Sequence, residues 1–310
     1  MRSFLYSEVT GFVEKDHWLP NSWIKVETPT QDDILYLTEE LKVPESFIAD
    51  IEDTDERPRV EHEGNWLLTI LRIPIVENGK SIPYTTVPIG IMTNDDVIVT
   101  LCYYRTDVVK DFILHTRRKG VLIRNKYELI MRLIHSSAVW FLKYLKKINN
   151  EVTDAENALA KSIRNEDLLH LMNLQKSLVY FNTSIRGNEV MFNKLQSIFQ
   201  EPAFRIDSEL LEDVDTELKQ AHNTVNIYSD ILTGTMDAFA SVISNNVNTI
   251  MKRMTSISII LMVPTLIASF YGMNIINYAE ELPYGFIVII IASLFFSAMA
   301  FYIFKKIKWF

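Results

Sequence analysis

Residues 251–274 read MKRMTSISIILMVPTLIASFYGMN. Lys252 and Arg253 open this run, and about 26 uncharged residues follow before Glu280. That exceeds the ~20 helical residues needed to cross a ~30 Å hydrocarbon core. A second apolar run starts at Pro283 and ends at Lys305, behind a short loop at residues 275–282. The pattern predicts a C-terminal hairpin of two membrane helices. Lys252 and Arg253 flank the first span, and Lys305, Lys306 and Lys308 flank the second. The loop between them carries Glu280 and Glu281 and no Lys or Arg. Positive charge favours the cytoplasmic side, so both termini are expected inside the cell's inner (plasma) membrane and the acidic loop outside. Tyr302, Trp309 and Phe310 fit an interfacial belt at the inner face.

The first span carries a polar seam. Met251, Met254 (or its neighbour Thr255), Ser258, Met262, Thr265 and Ser269 follow one another in steps of three and four, which puts them on one helix face. Asn248 lies one turn inward, and Gly272 and Asn274 continue the seam outward. Small and polar residues of this kind serve either a tight helix–helix contact or the wall of a water-filled pore built from several copies. Asn274 favours the pore, because a carboxamide is costly against lipid and useful where its carbonyl meets an ion. Gly272 and Asn274 also suit a helix C-cap.

Upstream, Leu211, Val214, Leu218, Ala221, Val225, Tyr228 and Leu232 repeat in steps of four and three, and Phe239 and Val242 extend the stripe. Gly234 is a weak point worth about 1 kcal/mol against Ala. The pattern predicts one helix from about Ser208 to Tyr271, about 95 Å long at 1.5 Å per residue. Such a stalk can carry a domain movement to the membrane.

Before the stalk, Tyr127–Ile163 and Glu166–Phe199 read as two antiparallel helices joined at Arg164–Asn165–Glu166. Leu129, Leu133, Val139 and Leu142 are expected in their core, with Lys143, Lys146, Lys147 and Glu151 solvated. Residues 1–120 read as mixed α/β. Strands are expected at 22–27, 66–76, 85–93 and 97–103, with Asn94-Asp95-Asp96 as a hairpin turn and Pro74 marking an edge or bulge. Helices are expected at 31–41 after an N-cap at Thr30, at 45–51 and at 107–119. The fold class is therefore α+β. A cytoplasmic α/β domain (1–120) is followed by an antiparallel helical pair (121–202) and a stalk (203–250). Then come a pore-lining span (251–274), an external loop (275–282), a second span (283–304) and a basic tail (305–310).

The chain has 310 residues and a net charge of −8. Outside the hairpin roughly 250 residues remain, enough for a sizeable core. The acidity argues against nucleic acid as a partner, since phosphate binding needs a basic face. Cys102 is the single cysteine, which excludes an intrachain disulfide and a cysteine-based metal cluster. No phosphate-binding glycine loop and no nucleophile elbow occur, so neither an enzyme nor an organic cofactor is expected. His17, His62, His115, His135, His170 and His222 lack metal-protease spacing and read as ordinary core or surface residues.

Tyr271-Gly272-Met273-Asn274 resembles the Gly-Met-Asn signature of the CorA family of magnesium transporters. Its placement agrees: the outer end of the first of two C-terminal spans, then a short acidic loop, then a last span with a basic tail. The resemblance covers the whole chain in architecture and is tightest from about Asp213 onward. The loop, residues 275–283, departs from the Met-Pro-Glu-Leu sequence of many relatives, which leaves open whether Glu280 or Glu281 draws ions to the mouth.

The resemblance implies a homo-oligomer, a pentamer, in which a ring of Asn274 side chains meets hydrated Mg²⁺. It implies an apolar gate at Met251, Met254 and Met262, with Asn248 at the inner entry. It further implies a regulatory Mg²⁺ between subunits, held by Asp50 and Asp213. Two facing carboxylates repel unless a divalent ion bridges them. By composition alone, the acidic stretch from Asp50 to Glu56 is a solvated helix end, lacking the glycine and distal glutamate of a Ca²⁺ loop. Co²⁺ or Ni²⁺ are further cargoes on this reading. Two rivals stand beside it: a zinc transporter of the same superfamily, against which Met273 argues, and a membrane-tethered signalling or scaffold protein, which needs no polar seam.

Overall fold

The run Trp66–Val76 (β5) is apolar almost throughout because both sets of its alternating side chains are buried. It lies in a seven-stranded sheet of a computed structural model, which describes residues 1–309 apart from 10, 21, 78, 163, 200–206 and 274–283. The other strands are β1 Arg2–Glu8, β2 Gly11–Lys15, β3 Trp23–Glu27, β4 Arg59–Glu63, β6 Tyr84–Thr93 and β7 Ile98–Cys102. Their order is β2-β1-β3-β7-β6-β5-β4, antiparallel except for the β3–β7 pair. The β6–β7 hairpin turns as its sequence predicts, with the Asn94 side chain accepting from the amides of Asp96 and Val97. Pro74 pairs only with Thr86 on β6, because β4 stops pairing at Ile70. That stretch of β5 is an edge, where a missing N–H costs nothing.

Three strands were absent from the expectation. β4 has a single buried residue, Val60, and β1 a single buried residue, Leu5, so neither shows the apolar alternation that marks a strand. Of the three, β2 and β4 are edge strands, which are short and polar by necessity.

Helices α1 (Gln31–Leu35), continued by a π-helical turn (Tyr36–Glu40), and α2 (Glu45–Glu52) pack on this sheet. Thr30 caps α1 through a reciprocal box with Asp33. Phe47, Ile48 and Ile51 of α2 are buried, each stabilising by roughly 1.5–3 kcal/mol. α2 lies so close to β6 that a Cβ on Gly90 would meet Ile51 Cδ1 at 2.1 Å. Helix α3 (Asp107–Lys119) has the expected bounds and ends on left-handed Gly120.

Helices α4 (Lys126–Lys161) and α5 (Asn165–Phe199) form the long pair and pack on β5. The break falls between Lys161 and Asn165, so Asn165 and Glu166 open α5 rather than form the turn. Glu166 and Asp167 suit that first turn electrostatically. Val139, expected in the core, is 40% exposed. It lies roughly 160° around the helix from the core stripe of Leu133, Ser137, Phe141 and Tyr144. Glu151, expected in solvent, accepts the Tyr84 hydroxyl at 2.6 Å.

Helix α6 runs from Ser208 to Tyr271, and α7 from Gly285 to Lys306. The chain divides into two compact units, Met1–Thr233 and Gly234–Phe310. Within the first, Val214, Leu218, Ala221, Val225 and Leu232 of α6 are buried. Gln175–Thr233, Asn182–Asn226 and Glu189–His222 link α5 to α6 at 3.2, 2.8 and 3.0 Å, in antiparallel order. The stripe does not stay buried beyond Leu232: Phe239 is half-buried and Val242 exposed. Gly234 has open space where its Cβ would be, so no close packing explains it.

Candidate ion pathway and regulatory carboxylates

Within the second unit, α6 and α7 are both long and apolar enough to cross a membrane. Between residues 251 and 271, the residues of α6 with reduced exposure are Ser256, Ile260, Val263, Pro264, Ile267 and Tyr271. On α7 they include Gly285, Ile289, Ala292, Ser293, Ser297 and Ala300, a stripe of mostly small residues that allows close approach in lipid. Ser297 Oγ meets the Ile260 carbonyl at 3.5 Å, where these two faces join.

The seam points the other way. Met251, Met254 and Met262 are 61%, 66% and 62% exposed, and Ser258, Thr265 and Ser269 are exposed with them. At 100° per residue the seam lies roughly 175° around α6 from the face that meets α7. The tight contact between the two spans is therefore made by other residues, and the seam is left for something outside the chain. The hydroxyls of Ser258 and Thr265 return to the carbonyls of Met254 and Leu261 at 2.9 and 3.0 Å. Asn248 is exposed about 75° around the helix from the seam's mean direction, in line with Leu266. α6 ends at Tyr271, and Gly272 and Met273 follow it. Asn274, Glu280 and Glu281 lie outside the described residues.

Pro264 sits inside α6 and cannot donate to the Ile260 carbonyl. The Ser297 hydroxyl supplies a donor to that same carbonyl, as polar side chains of neighbouring helices do in membranes. This partnership was missed in the sequence. Its signal was there, since a proline within a span always frees the carbonyl four residues earlier.

Asp50 lies in the last turn of α2, which carries no basic residue of its own. Arg59 of β4 supplies the missing cation: Nη2 reaches Asp50 Oδ2 at 2.6 Å, Nε reaches Glu61 at 2.9 Å, and Nη1 pairs with Glu56. Burial pushes the Arg59 pKa down, but the hydrogen bond to Glu61 and the charges of Glu56 and Asp50 more than offset it, so the net shift is upward. Arg72, more deeply buried, donates to the carbonyls of Thr54 and Glu56 at 2.8 Å each and to Thr86. Asn188 of α5 clamps the Arg72 backbone, accepting at 2.9 Å and donating at 2.7 Å. Pro58 rests against Gly187, where a Cβ would come within 2.9 Å of the ring. The acidic loop is thus seated firmly on α5.

Asp213 is exposed on α6 and makes no ion pair among the described residues. It borders a cavity of about 420 Å³ with Asp111, His115, Arg132, His135 and Trp140. Burial holds the His135 pKa below its ordinary value against the opposing pull of Glu217 and Asp213. Among the described residues no group of three or more His, Cys, Asp or Glu side chains could hold a metal ion within the chain. Asp50 and Asp213 are water-accessible carboxylates, which fits a hard divalent cation held partly through its own waters.

The chain is 24% identical to the cobalt/magnesium transport protein CorA of Methanocaldococcus jannaschii over 93% of its length and 90% of that protein. It is 25% identical to the cobalt/magnesium transport protein CorA of Thermotoga maritima over 84% of its length and 75% of that protein. Its fold matches the complete structure of the M. jannaschii CorA magnesium transporter with a TM-score of 0.85 at 21% identity, covering 100% of this chain and 99% of that one. The profile of the family described as CorA-like Mg2+ transporter protein matches residues 20–306, so this chain is a member of that family of membrane transporters.

Proposed function

We propose that the chain carries Mg²⁺ into the cell as a homopentameric channel-like transporter, with both termini cytoplasmic. The observation that carries this reading is the direction of the seam. α7 covers the opposite side of α6, so copies of α6 brought together around an axis enclose Ser258, Thr265 and Ser269. Two helices per chain cannot enclose a pore, and oligomerisation supplies the missing walls. Asn274 forms the outer ring, where neutral carbonyl oxygens meet an ion that dehydrates reluctantly. Met251, Met254 and Met262 form an apolar constriction that closes by dewetting. Glu280 and Glu281 concentrate cations at the mouth, and Asn248 receives them inside. A membrane potential of 100 mV contributes about 4.6 kcal/mol to entry of a divalent ion, twice the ~2.3 per charge, so no nucleotide is needed.

Regulation in this reading is by product. Mg²⁺ bridging Asp50 of one subunit and Asp213 of the next clamps the subunits, and its loss releases the stalks. The continuous helix Ser208–Tyr271 supports a mechanical link from that clamp to the seam. Mg²⁺, Co²⁺, Ni²⁺ and Zn²⁺ flux into liposomes containing the purified protein tests the function. Wild type carries Mg²⁺ and Asn274→Ala does not, while both migrate as the same oligomer. Zn²⁺ flux without Mg²⁺ flux would assign the chain to zinc transport, and no flux of any ion would leave only a tether.

A further inference from the structure

We propose that Arg59 is a built-in counter-cation that competes with magnesium for Asp50 and thereby sets the concentration at which the intersubunit clamp forms. This rests on the reading of Asp50 and Asp213 as that clamp. One guanidinium serves three carboxylates from three successive pieces of chain: Asp50 in α2, Glu56 in the loop, and Glu61 in β4. Each is met by a different nitrogen, so all three nitrogens of the planar fork are engaged. One positive and three negative charges leave the cluster at −2, the charge a divalent ion neutralises.

One of the two Asp50 oxygens, Oδ2, is already held by Arg59 at 2.6 Å. Two cations at one carboxylate repel, so an ion arriving at either oxygen is held more weakly while the guanidinium stays in place. The last turn of α2 needs a positive charge in any case, because its carbonyls point there without a basic residue in the helix. Arg59 meets that need when the ion is scarce.

The backbone around Arg59 is fixed, which confines the exchange to the side chain. Pro58 is seated against Gly187, and Arg72 holds the carbonyls of Thr54 and Glu56. Arg72 does not compete itself, since its donors are spent on carbonyls and Thr86. The Arg59 and Asp50 side chains are 32% and 31% exposed, open enough for a hydrated ion to reach them.

The test is the Mg²⁺ midpoint for protection of the full-length, detergent-purified protein from limited proteolysis. Arg59→Gln lowers this midpoint by about threefold to tenfold, the scale for one partly exposed charge acting on a divalent ion. Arg59→Lys keeps the charge without the three-way fork and falls between Arg59→Gln and wild type. If Arg59→Gln does not fold, Arg59→Lys carries the test alone. A midpoint at or above wild type in a folded variant overturns the role of Arg59. Asp213→Lys, measured alongside, raises or abolishes the midpoint. If Asp213→Lys matches wild type, the clamp itself is wrong; if only the Arg59 variants do, the clamp stands and the competition does not.

Discussion

Ser297 of the second span lends its hydroxyl to the Ile260 carbonyl, the one backbone acceptor that Pro264 strips of its helical donor. A break in the hydrogen-bond ladder of the first span and a polar group on the second thus account for each other.

Ser297→Ala should therefore weaken the hairpin by about 0.6 kcal/mol, and at most ~1.7, the measured range for polar contacts between membrane helices. In a Pro264→Ala background the restored amide bonds Ile260 directly, and the same Ser297→Ala change should cost almost nothing. A double-mutant cycle on thermal unfolding in detergent reads the difference. Equal costs in both backgrounds would separate Ser297 from Pro264.

Asn188 is fully buried and satisfies both the amide and the carbonyl of Arg72, tying α5 to β5 beneath the acidic loop. Asn188→Ala leaves the amide without that partner and should cost about 1–3 kcal/mol. Thermal denaturation of the variant is expected several degrees below wild type. An unchanged midpoint would mean that water or Ser137, which also reaches the Arg72 carbonyl, replaces it.

Burial holds His135 below its ordinary pKa, despite Glu217 and Asp213 nearby. The unfolded chain then takes up a proton on this residue before the folded one does. Its contribution is present above the unfolded value of about 6.5 and is lost as the pH falls through it toward the lower folded pKa. His135→Gln should flatten the decline of thermal stability between neutral and mildly acid pH relative to wild type. Parallel pH profiles would show that His135 does not titrate differently on folding.

How much of this was legible in the sequence depended on the burial of each element. α3, β5 and the long helix Ser208–Tyr271 have the expected bounds, because strong periodicity and clear end signals coincide there. β1, β2 and β4 escaped notice because few of their residues are buried, so the pattern that marks a strand is missing. Val139 was misplaced because an apolar residue one or two positions out of phase looks like core in one dimension. The seam was legible as a face, but its direction was not: only the position of α7 shows which side of α6 remains free. Arg59 is visible in sequence as one charge among many, and its three partners come together only when α2, the loop and β4 are folded side by side.

The most direct test of the central claim is a cysteine scan of α6 with a membrane-impermeant thiol reagent during Mg²⁺ uptake. Native Cys102 is a silent background, since it is buried and burial pushes its thiol up to about 12. Ser258→Cys, Thr265→Cys and Ser269→Cys are expected to react and to lose uptake. Ile260→Cys and Ile267→Cys, against α7, and Leu266→Cys and Phe270→Cys, on a third face, are expected to stay unmodified. Reaction at Leu266→Cys and Phe270→Cys with silence along the seam would contradict the account.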